Sequence, residues 1–465
     1  MQRRKFLKGS ALLSGLVALS PSRLMAKSTT ADLISGSKAK NIIFMISDGM
    51  SSGTLAMADL YANNILGKGS HWMDLYKQGK VSRALMDTAS ASSIVTDSAA
   101  ASSAFGGGMR VANGVLNIGA NGEKHLPLWQ KFKKQGKKAG CVTTVTITHA
   151  TPAGFCVNSD SRNAEPEIAE MYAELGLDVM MGGGDEFFNP SKRKDKKDLY
   201  QVFRQKGYQV IKEGESLKKV DSKKPLLGIF SDGALPYSVD RANTKELQKI
   251  PTLAEMTVAA IDLMKGHNEG FVLQVEAGKV DWAAHANDIA GLIHDQLAFD
   301  EAIEKVMDFA EKDGNTLVVI TTDHGNANPG TIYGSQVAKK FETISEYRYT
   351  NEFLLNGIHT DFNPQQVKDW VNDVNKISLS DEEAKKLLSF YTGLNKEEGL
   401  YNYKQLPFKL YADMQQKRNN VGWISMDHSG DYVELAMFGP GSELLKPFIK
   451  NTDLHHLILK ATQVV

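Results

Sequence analysis

The sequence predicts an α/β fold, in which a mostly parallel central sheet carries helices on both faces. Short apolar runs alternate with amphipathic stretches from residue 41 onward, and this alternation is typical of parallel sheets. Three of the runs, at 41–46, 271–275 and 316–320, lead directly into acidic or histidine residues. Because such folds bind ligands at the carboxyl ends of their strands, we expect the functional site at that edge of the sheet.

Each predicted element is a run of uniform pattern with a plausible length. The predicted strands are the apolar runs 41–46, 83–86, 139–145, 178–181, 226–230, 271–276, 316–321 and 433–438. The predicted helices are the amphipathic stretches 54–66, 165–175, 252–265, 287–310 and 381–391.

The alternation lapses between residues 331 and 423, where Lys, Glu, Asn, Tyr and Asp are frequent and long apolar runs are few. We interpret 331–423 as an insertion on the functional edge of the sheet, which shapes access or forms a subunit contact. The α/β core would then comprise 27–330 and 424–465.

The first 26 residues are predicted to be an export signal. Arg3 and Arg4 precede the apolar stretch 11–19, which is too short to span a bilayer. The arginine pair resembles a twin-arginine signal, with cleavage near Ala26 and a periplasmic or secreted product. An amphipathic N-terminal helix is the alternative.

Composition argues against a nucleic-acid or membrane-surface partner. The chain of 465 residues has 54 basic and 54 acidic residues. Five of the basic residues and none of the acidic ones lie in the first 26 positions. The remainder therefore has 49 basic and 54 acidic residues, a formal net charge of −5, which gives no general attraction to polyanions. The chain is long enough to fold without disulfides. Cys141 and Cys156 could pair or remain thiols.

Two strand ends carry potential metal ligands. Asp48 lies two positions after the end of the run 41–46, and Asp323 and His324 lie just beyond 316–321. Carboxylates and imidazoles gathered at such an edge suit a divalent cation. The alternatives are a helix-capping Asp48 and a turn with a surface His324.

Two further groups lie beside the run 271–275. Asp281 and His285 are four residues apart, so one helix face would present both to the same ion. Glu276, at the strand end, could serve a neighbouring ion. A simple Asp–His pair that stabilises the helix is the alternative.

Ser98 is the candidate nucleophile. It would lie in the first turn of a helix of small residues, where free N–H groups and the helix dipole favour phosphate. A serine hydroxyl needs a base or a metal to become a nucleophile. An N-cap serine without catalytic function is the alternative.

Taken together, these segments resemble the alkaline phosphatase family, in this order along residues 40–330 and 424–440. The matching segments are Ile46–Met50, Thr96–Ala99, Thr148–Pro152, Arg162, Gly182–Gly184, Val275–Gly278, Val280–His285, Thr322–Gly325 and His428–Gly430.

The resemblance implies the fold of that family, with a crown-type insertion, and a role for each matching residue. Ser98 would accept the phosphoryl group, and Arg162 would grip two phosphate oxygens. Three sets of ligands would hold the cations, two of them sharing Asp48: Asp281, His285 and His428 for the first zinc; Asp48, Asp323 and His324 for the second zinc; Asp48, Thr151 and Glu276 for magnesium.

Two positions depart from a well-known bacterial pattern of this family. His149 and Trp282 stand beside the cation sites where that pattern has aspartate and lysine. The change removes a carboxylate and a cation near the phosphate, so we predict weaker magnesium retention and faster product release. His149 could also draw zinc into the third site.

The predicted function is hydrolysis of phosphate monoesters through a phosphoserine, with small-molecule substrates and a homodimeric state implied by the family. Two alternative hydrolase functions are that of a phosphodiesterase, in which Thr96 could be the nucleophile, and that of a sulfatase. A phosphate-binding protein with an inactive site is an alternative of another class, but no expected ligand is missing from the sequence.

Overall fold

The computed structural model describes residues 38–397 and 399–464. The predicted export signal, residues 1–26, and its cleavage position lie outside these residues. Within the described ranges, no helix is both long enough and apolar enough to span a membrane.

The strands are numbered in chain order. They are β1 Asn41–Ser47, β2 Ser82–Asp87, β3 Lys138–Thr146, β4 Val179–Gly183, β5 Gln209–Ile211, β6 Leu226–Ile229, β7 Phe271–Ala277, β8 Thr316–Thr321, β9 Gly325–Asn326, β10 Gly330–Thr331, β11 Lys396–Glu397, β12 Leu400–Tyr401, β13 Val421–Gly422, β14 His428–Ser429, β15 Val433–Phe438 and β16 Phe448–Lys450.

The α-helices are numbered in the same way. They are α1 Ser52–Asn64, α2 His71–Lys77, α3 Ser98–Gly107, α4 Leu128–Lys134, α5 Ala150–Cys156, α6 Glu165–Leu175, α7 Leu199–Gln205, α8 Ser238–Asn243, α9 Leu253–Met264, α10 Lys279–His285, α11 Ile289–Asp313, α12 Val337–Glu342, α13 Asn351–Asn356, α14 Pro364–Asn375, α15 Asp381–Leu388, α16 Phe408–Asn419 and α17 Asn451–Thr462.

Ten of the strands form one sheet, in the order β16-β2-β15-β8-β1-β7-β3-β4-β6-β5. Only β15 runs antiparallel to its neighbours, β2 and β8, and the other pairs are parallel. The predicted mostly parallel sheet is confirmed. The three strands that lead into the candidate site, β8, β1 and β7, are adjacent at its centre.

Both faces of the sheet are covered, as predicted. Along β1, Ile43 and Met45 belong to one apolar cluster, whereas Ile42 and Phe44 belong to another. Side chains alternate between the faces of a strand, so this division places one core on each side. A strand buried on both faces needs a continuous apolar run, which explains the pattern at 41–46.

Every predicted strand is present, with bounds that differ by at most two residues, whereas many of the shorter helices were not predicted. The sheet gains the three-residue strands β5 and β16, which are too short to give a sequence pattern. The helix predicted at 381–391 ends at Leu388 and continues as a 3-10 turn, Ser389–Tyr391.

Residues 331–423 include helices α12 to α16. Leu354, Val371 and Tyr411 from this segment are buried in the same apolar cluster as Ile43 and Met45. The segment is therefore packed against the helical layer of one face of the sheet.

The two cysteines lie together in the other core. Cys141 Sγ and Cys156 Sγ are 3.7 Å apart, and both residues are buried and unbonded. A disulfide bond would require a separation of about 2.05 Å, so the pair is a dithiol in this structure.

Candidate active site

The predicted site residues converge at the carboxyl ends of β8, β1 and β7. Asp48 follows β1, Asp323 and His324 follow β8, and Glu276 is the penultimate residue of β7. Ile46 of β1 pairs with Glu276 on one side and with Thr321 on the other. The parallel register therefore brings four ligand-type side chains from distant parts of the chain to one edge.

Asp48, Asp323 and His324 form one compact group, and all three are fully buried. His324 Nε2 lies 3.5 Å from Asp48 Oδ1 and 3.4 Å from Asp323 Oδ2. The alternatives considered for these residues are wrong. The N-cap of α1 is Ser51 and not Asp48, and His324 has no exposed surface.

Burial makes this group electrostatically unfavourable without a cation. Burial, reinforced by Asp323, raises the pKa of Asp48 well above its usual value. Burial, reinforced by Asp281, also raises the pKa of Asp323 to about 7. Burial lowers the pKa of His324, so its imidazole is neutral and free to coordinate. A divalent cation would neutralise the two carboxylates and use the imidazole nitrogen.

Asp281, His285 and His428 form a second group. Asp281 and His285 lie on α10, and His428 is in β14, which pairs with β9. Asp281 Oδ2 is 3.4 Å from His285 Nε2, and Asp281 Oδ1 is 3.5 Å from His428 Nε2. Burial alone would lower the pKa of His285, but Asp281 outweighs it and raises that pKa to about 9.

Hydrogen bonds fix the two imidazoles of this group with their Nε2 atoms facing each other. His285 Nδ1 donates to the Met426 carbonyl at 2.6 Å, and His428 Nδ1 donates to the Thr96 carbonyl at 2.9 Å. In the neutral tautomer that donates from Nδ1, each Nε2 is the nitrogen left to coordinate a cation, and the two Nε2 atoms are 3.1 Å apart. A carbonyl bonded to Nδ1 is the usual means of orienting a metal-binding histidine. Sequence reasoning did not identify these two carbonyls, since backbone groups carry no residue signature.

Asp48 also belongs to a third group, with His149 and Glu276. His149 Nδ1 is 3.7 Å from Glu276 Oε1, and Thr151 Oγ1 is 3.5 Å from Asp48 Oδ2. The sequence-based assignment placed His149 outside the ligands, whereas here its ring nitrogen lies within the group itself. Trp282 is not part of any of the three groups, and its ring lies 4.5 Å from Lys279 Nζ.

Unpartnered buried atoms indicate that these groups suit cations. Polar atoms buried in a protein are nearly always hydrogen-bonded, yet several ligand-type atoms here have no partner among the described residues. They are Asp48 Oδ1, Asp323 Oδ2, Glu276 Oε1, Glu276 Oε2 and His149 Nδ1. The donor sets are mixed nitrogen and oxygen in all three groups, which fits zinc, and the carboxylate-rich third group also fits magnesium.

Ser98 lies beside these groups, as predicted. It is the first residue of α3, it is 1% exposed, and its Oγ is 3.2 Å from His324 Nε2. The N-cap is Asp97, whose carboxylate accepts from the Ala100 N–H. The interpretation of Ser98 as an N-cap is therefore wrong, and its hydroxyl is free to face the cation groups.

Arg162 is held at the same place by two partners. Its Nη1 donates to Asp97 Oδ2 at 3.1 Å, and its Nη2 lies 3.1 Å from His149 Nε2. Asp97 thus fixes both the start of α3 and the arginine. Sequence reasoning missed this function of Asp97, although its position directly before Ser98 was a usable signal.

Asn326 is a further residue that the sequence did not single out. Its Nδ2 donates to Asp281 Oδ1 at 2.7 Å and to the Asp281 carbonyl at 3.2 Å. Asn326 follows Asp323 and His324 by only a few residues. It therefore connects the end of β8 to the second group.

In cation-free protein, stability should fall as the pH rises from 7 to 9. A group whose pKa is higher in the folded protein favours folding while it is protonated, and that contribution is lost as the pH rises through the folded pKa. His285, with a folded pKa of about 9, loses its proton across this range, whereas Asp323, with a folded pKa of about 7, is already half-deprotonated where the range begins. His324 has a lowered pKa and is neutral in both states over this range.

This expectation can be checked by calorimetric Tm measurements at pH 7, 8 and 9, with EDTA and with divalent cations. Bound cations replace the protons, so the fall should be confined to the EDTA samples. His285→Gln should reduce this fall in Tm more than Asp323→Asn does, because the folded pKa of Asp323 lies at the lower limit of the pH range. A Tm that rises with pH in EDTA would contradict the electrostatic description.

Comparison with known proteins identifies the family of this chain. The sequence model of the family described as alkaline phosphatase matches residues 39–464. Alkaline phosphatase 4 of Bacillus subtilis is 32% identical over 429 residues, which cover 90% of this chain and 88% of the relative. Alkaline phosphatase 3 of that bacterium is 33% identical over 383 residues, covering 79% and 77%. The crystal structure of Thermus thermophilus alkaline phosphatase has a TM-score of 0.85, 33% identity and 96% coverage of both chains.

Proposed function

The chain belongs to the alkaline phosphatase family of phosphomonoester hydrolases, and we propose that it acts through a phosphoserine on Ser98 with two zinc ions and one magnesium ion. The observation that carries this proposal is the position of Ser98 Oγ, 3.2 Å from His324 Nε2 at the start of α3. A nucleophile, a helix N-terminus and ligand-type groups are thereby combined within one buried site.

The ligands follow from the three groups. Asp281, His285 and His428 would hold the first zinc, and Asp48, Asp323 and His324 the second. Asp48, Thr151 and Glu276 would hold magnesium, with His149 close enough to favour zinc there instead. When bound, such ions stabilise the attacking and leaving oxygens of an in-line displacement.

The protein's own residues supply the nucleophile and the phosphate contacts. Ser98 Oγ gives up its proton and forms a bond to phosphorus as the ester oxygen–phosphorus bond breaks, and the ester oxygen takes up a proton and leaves as the alcohol. Water then attacks the phosphoserine, the Oγ–phosphorus bond breaks, and inorganic phosphate is released with the serine restored. Arg162 and the free N–H groups of α3 would bind the phosphate oxygens throughout.

The substrate class follows from which part of the substrate is contacted. Arg162 and the cation ligands would contact only the phosphate group of the substrate, so we propose broad use of small phosphate monoesters. Export by the twin-arginine machinery to the periplasm or exterior remains part of the proposal, based on residues 1–26, as does a homodimeric state based on the family.

A chelator assay tests the proposal. We expect p-nitrophenyl phosphate hydrolysis at alkaline pH, its loss in EDTA, and its recovery with zinc plus magnesium. Bis(p-nitrophenyl) phosphate and p-nitrophenyl sulfate serve as diester and sulfate controls. Preferential hydrolysis of either control would favour the phosphodiesterase or sulfatase reading, and phosphate binding without any hydrolysis would favour the binding protein.

A further inference from the structure

The corner between α10 and α11 determines where His285 lies. His285 is the last residue of α10, and only residues 286–288 separate it from α11. Asn287 has a positive φ of 45° and is 2% exposed. Asp288 is the N-cap of α11, and its Oδ1 accepts from the Gly291 N–H at 3.0 Å. Such a tight, buried corner with left-handed backbone needs external contacts to hold one conformation.

Those contacts come from the segment 331–423. The Asn351 N–H donates to Asp288 Oδ2 at 2.5 Å, and Asn351 Nδ2 donates to the Asn287 carbonyl at 3.3 Å. Gln415 Nε2 in turn donates to Asn351 Oδ1 at 2.9 Å. Asn351 is 1% exposed and Gln415 is 2% exposed. The Asn287 carbonyl and the Asp288 carboxylate of the corner are therefore both bonded to Asn351, whose side-chain amide pairs with that of Gln415.

The same corner touches the loop that orients His285. The side-chain amide of Asn287 is oriented with its nitrogen toward neighbouring carbonyl acceptors. In this orientation the nitrogen donates to the Ser425 carbonyl at 2.8 Å. Ser425 directly precedes Met426, whose carbonyl accepts from His285 Nδ1. The position of the corner and the orientation of the His285 ring are thus linked through a continuous set of hydrogen bonds.

We propose that Asn351 and Gln415 are positioning residues for the first cation site. This inference rests on the proposed function, since it takes Asp281, His285 and His428 as the ligands. Removal of the Asn351 amide leaves the buried Asn287 carbonyl and the Gln415 amide without a partner. The corner then relaxes, and His285 loses its alignment with the other two ligands. The segment 331–423 therefore acts on the metal site through its buried face.

The test uses Asn351→Ala, with Asn419→Ala as the matched control. Asn419 is an equally buried asparagine of the same segment, and it contacts Val421 and Tyr347 instead of the corner. Cation-free protein is titrated with zinc against a chromophoric chelator. We expect Asn351→Ala to weaken one zinc equivalent by about tenfold or more, and Asn419→Ala to lower Tm without weakening either equivalent.

Gln415→Leu provides a second variant in case Asn351→Ala does not fold. It removes the two hydrogen bonds between Gln415 and Asn351 but keeps those from Asn351 to the corner, so it should weaken the same zinc equivalent by a smaller factor. Wild-type zinc affinity in Asn351→Ala and Gln415→Leu, or equal weakening in Asn419→Ala, would overturn the inference. Hydrolysis by the wild-type protein is measured in parallel, because its absence would refute the proposed function and not the positioning role.

Discussion

Ser98→Ala is expected to lower kcat for phosphate monoesters by at least about 1,000-fold. The change removes the only atom that can form the phosphoserine, while the cation groups and Arg162 remain in place. Because Ser98 is buried in the first turn of α3 and alanine is a good helix former, the fold should be unaffected. Steady-state kinetics and Tm measurements on the same preparation check both expectations.

Thr96→Ala is the control for this substitution. Thr96 Oγ1 donates to the adjacent Asp97 carbonyl, and the Thr96 carbonyl that orients His428 is retained in the variant. Thr96→Ala should therefore keep most of the activity. If activity were lost in Thr96→Ala and kept in Ser98→Ala, Thr96 would be the nucleophile and the phosphodiesterase reading would be favoured.

Asp48→Asn is expected to release two cations from the protein and to reduce activity by at least about 100-fold. Asp48 is the one carboxylate shared by two of the groups, with Asp323 and His324 on one side and His149 and Glu276 on the other. An amide has no charge to offset either cation, and both sites would be weakened together. Elemental analysis after dialysis, alongside activity, measures the effect.

Glu276→Gln distinguishes the effect on the third group from the effect on the second zinc site. Glu276 belongs only to the third group, so its variant should lose a single cation and retain the zinc pair. The informative quantity is the difference in bound-cation content between Asp48→Asn and Glu276→Gln. Equal cation content in the two variants would show that Asp48 does not bridge the sites.

The central sheet and its ligand-bearing strand ends were predictable because they depend on local patterns. A strand buried on both faces must be continuously apolar, and this is why β1, β7 and β8 were visible in the sequence. Since parallel strands end at one edge, Asp48, Asp323 and Glu276 could be expected to meet there.

Other parts of the site depend on contacts between distant segments. His428 reaches the second group because β14 pairs with β9. The sequence pattern does not reveal this pairing, so only the family resemblance assigned His428 to that group. The approach of His149 to Glu276 depends on the neighbouring register of β3 and β7. Asn351 and Gln415 are 64 residues apart, and no periodicity in the sequence reveals such a pair.

Anomalous diffraction at the zinc absorption edge, from crystals of the cation-loaded protein, would locate the bound zinc ions themselves. We expect two zinc peaks about 4 Å apart, one among Asp281, His285 and His428 and the other among Asp48, Asp323 and His324, with Ser98 Oγ beside the second. Each peak should lie about 2.0 to 2.2 Å from its ligand atoms. Zinc peaks elsewhere in the molecule, with these side chains uncoordinated, would contradict this expectation.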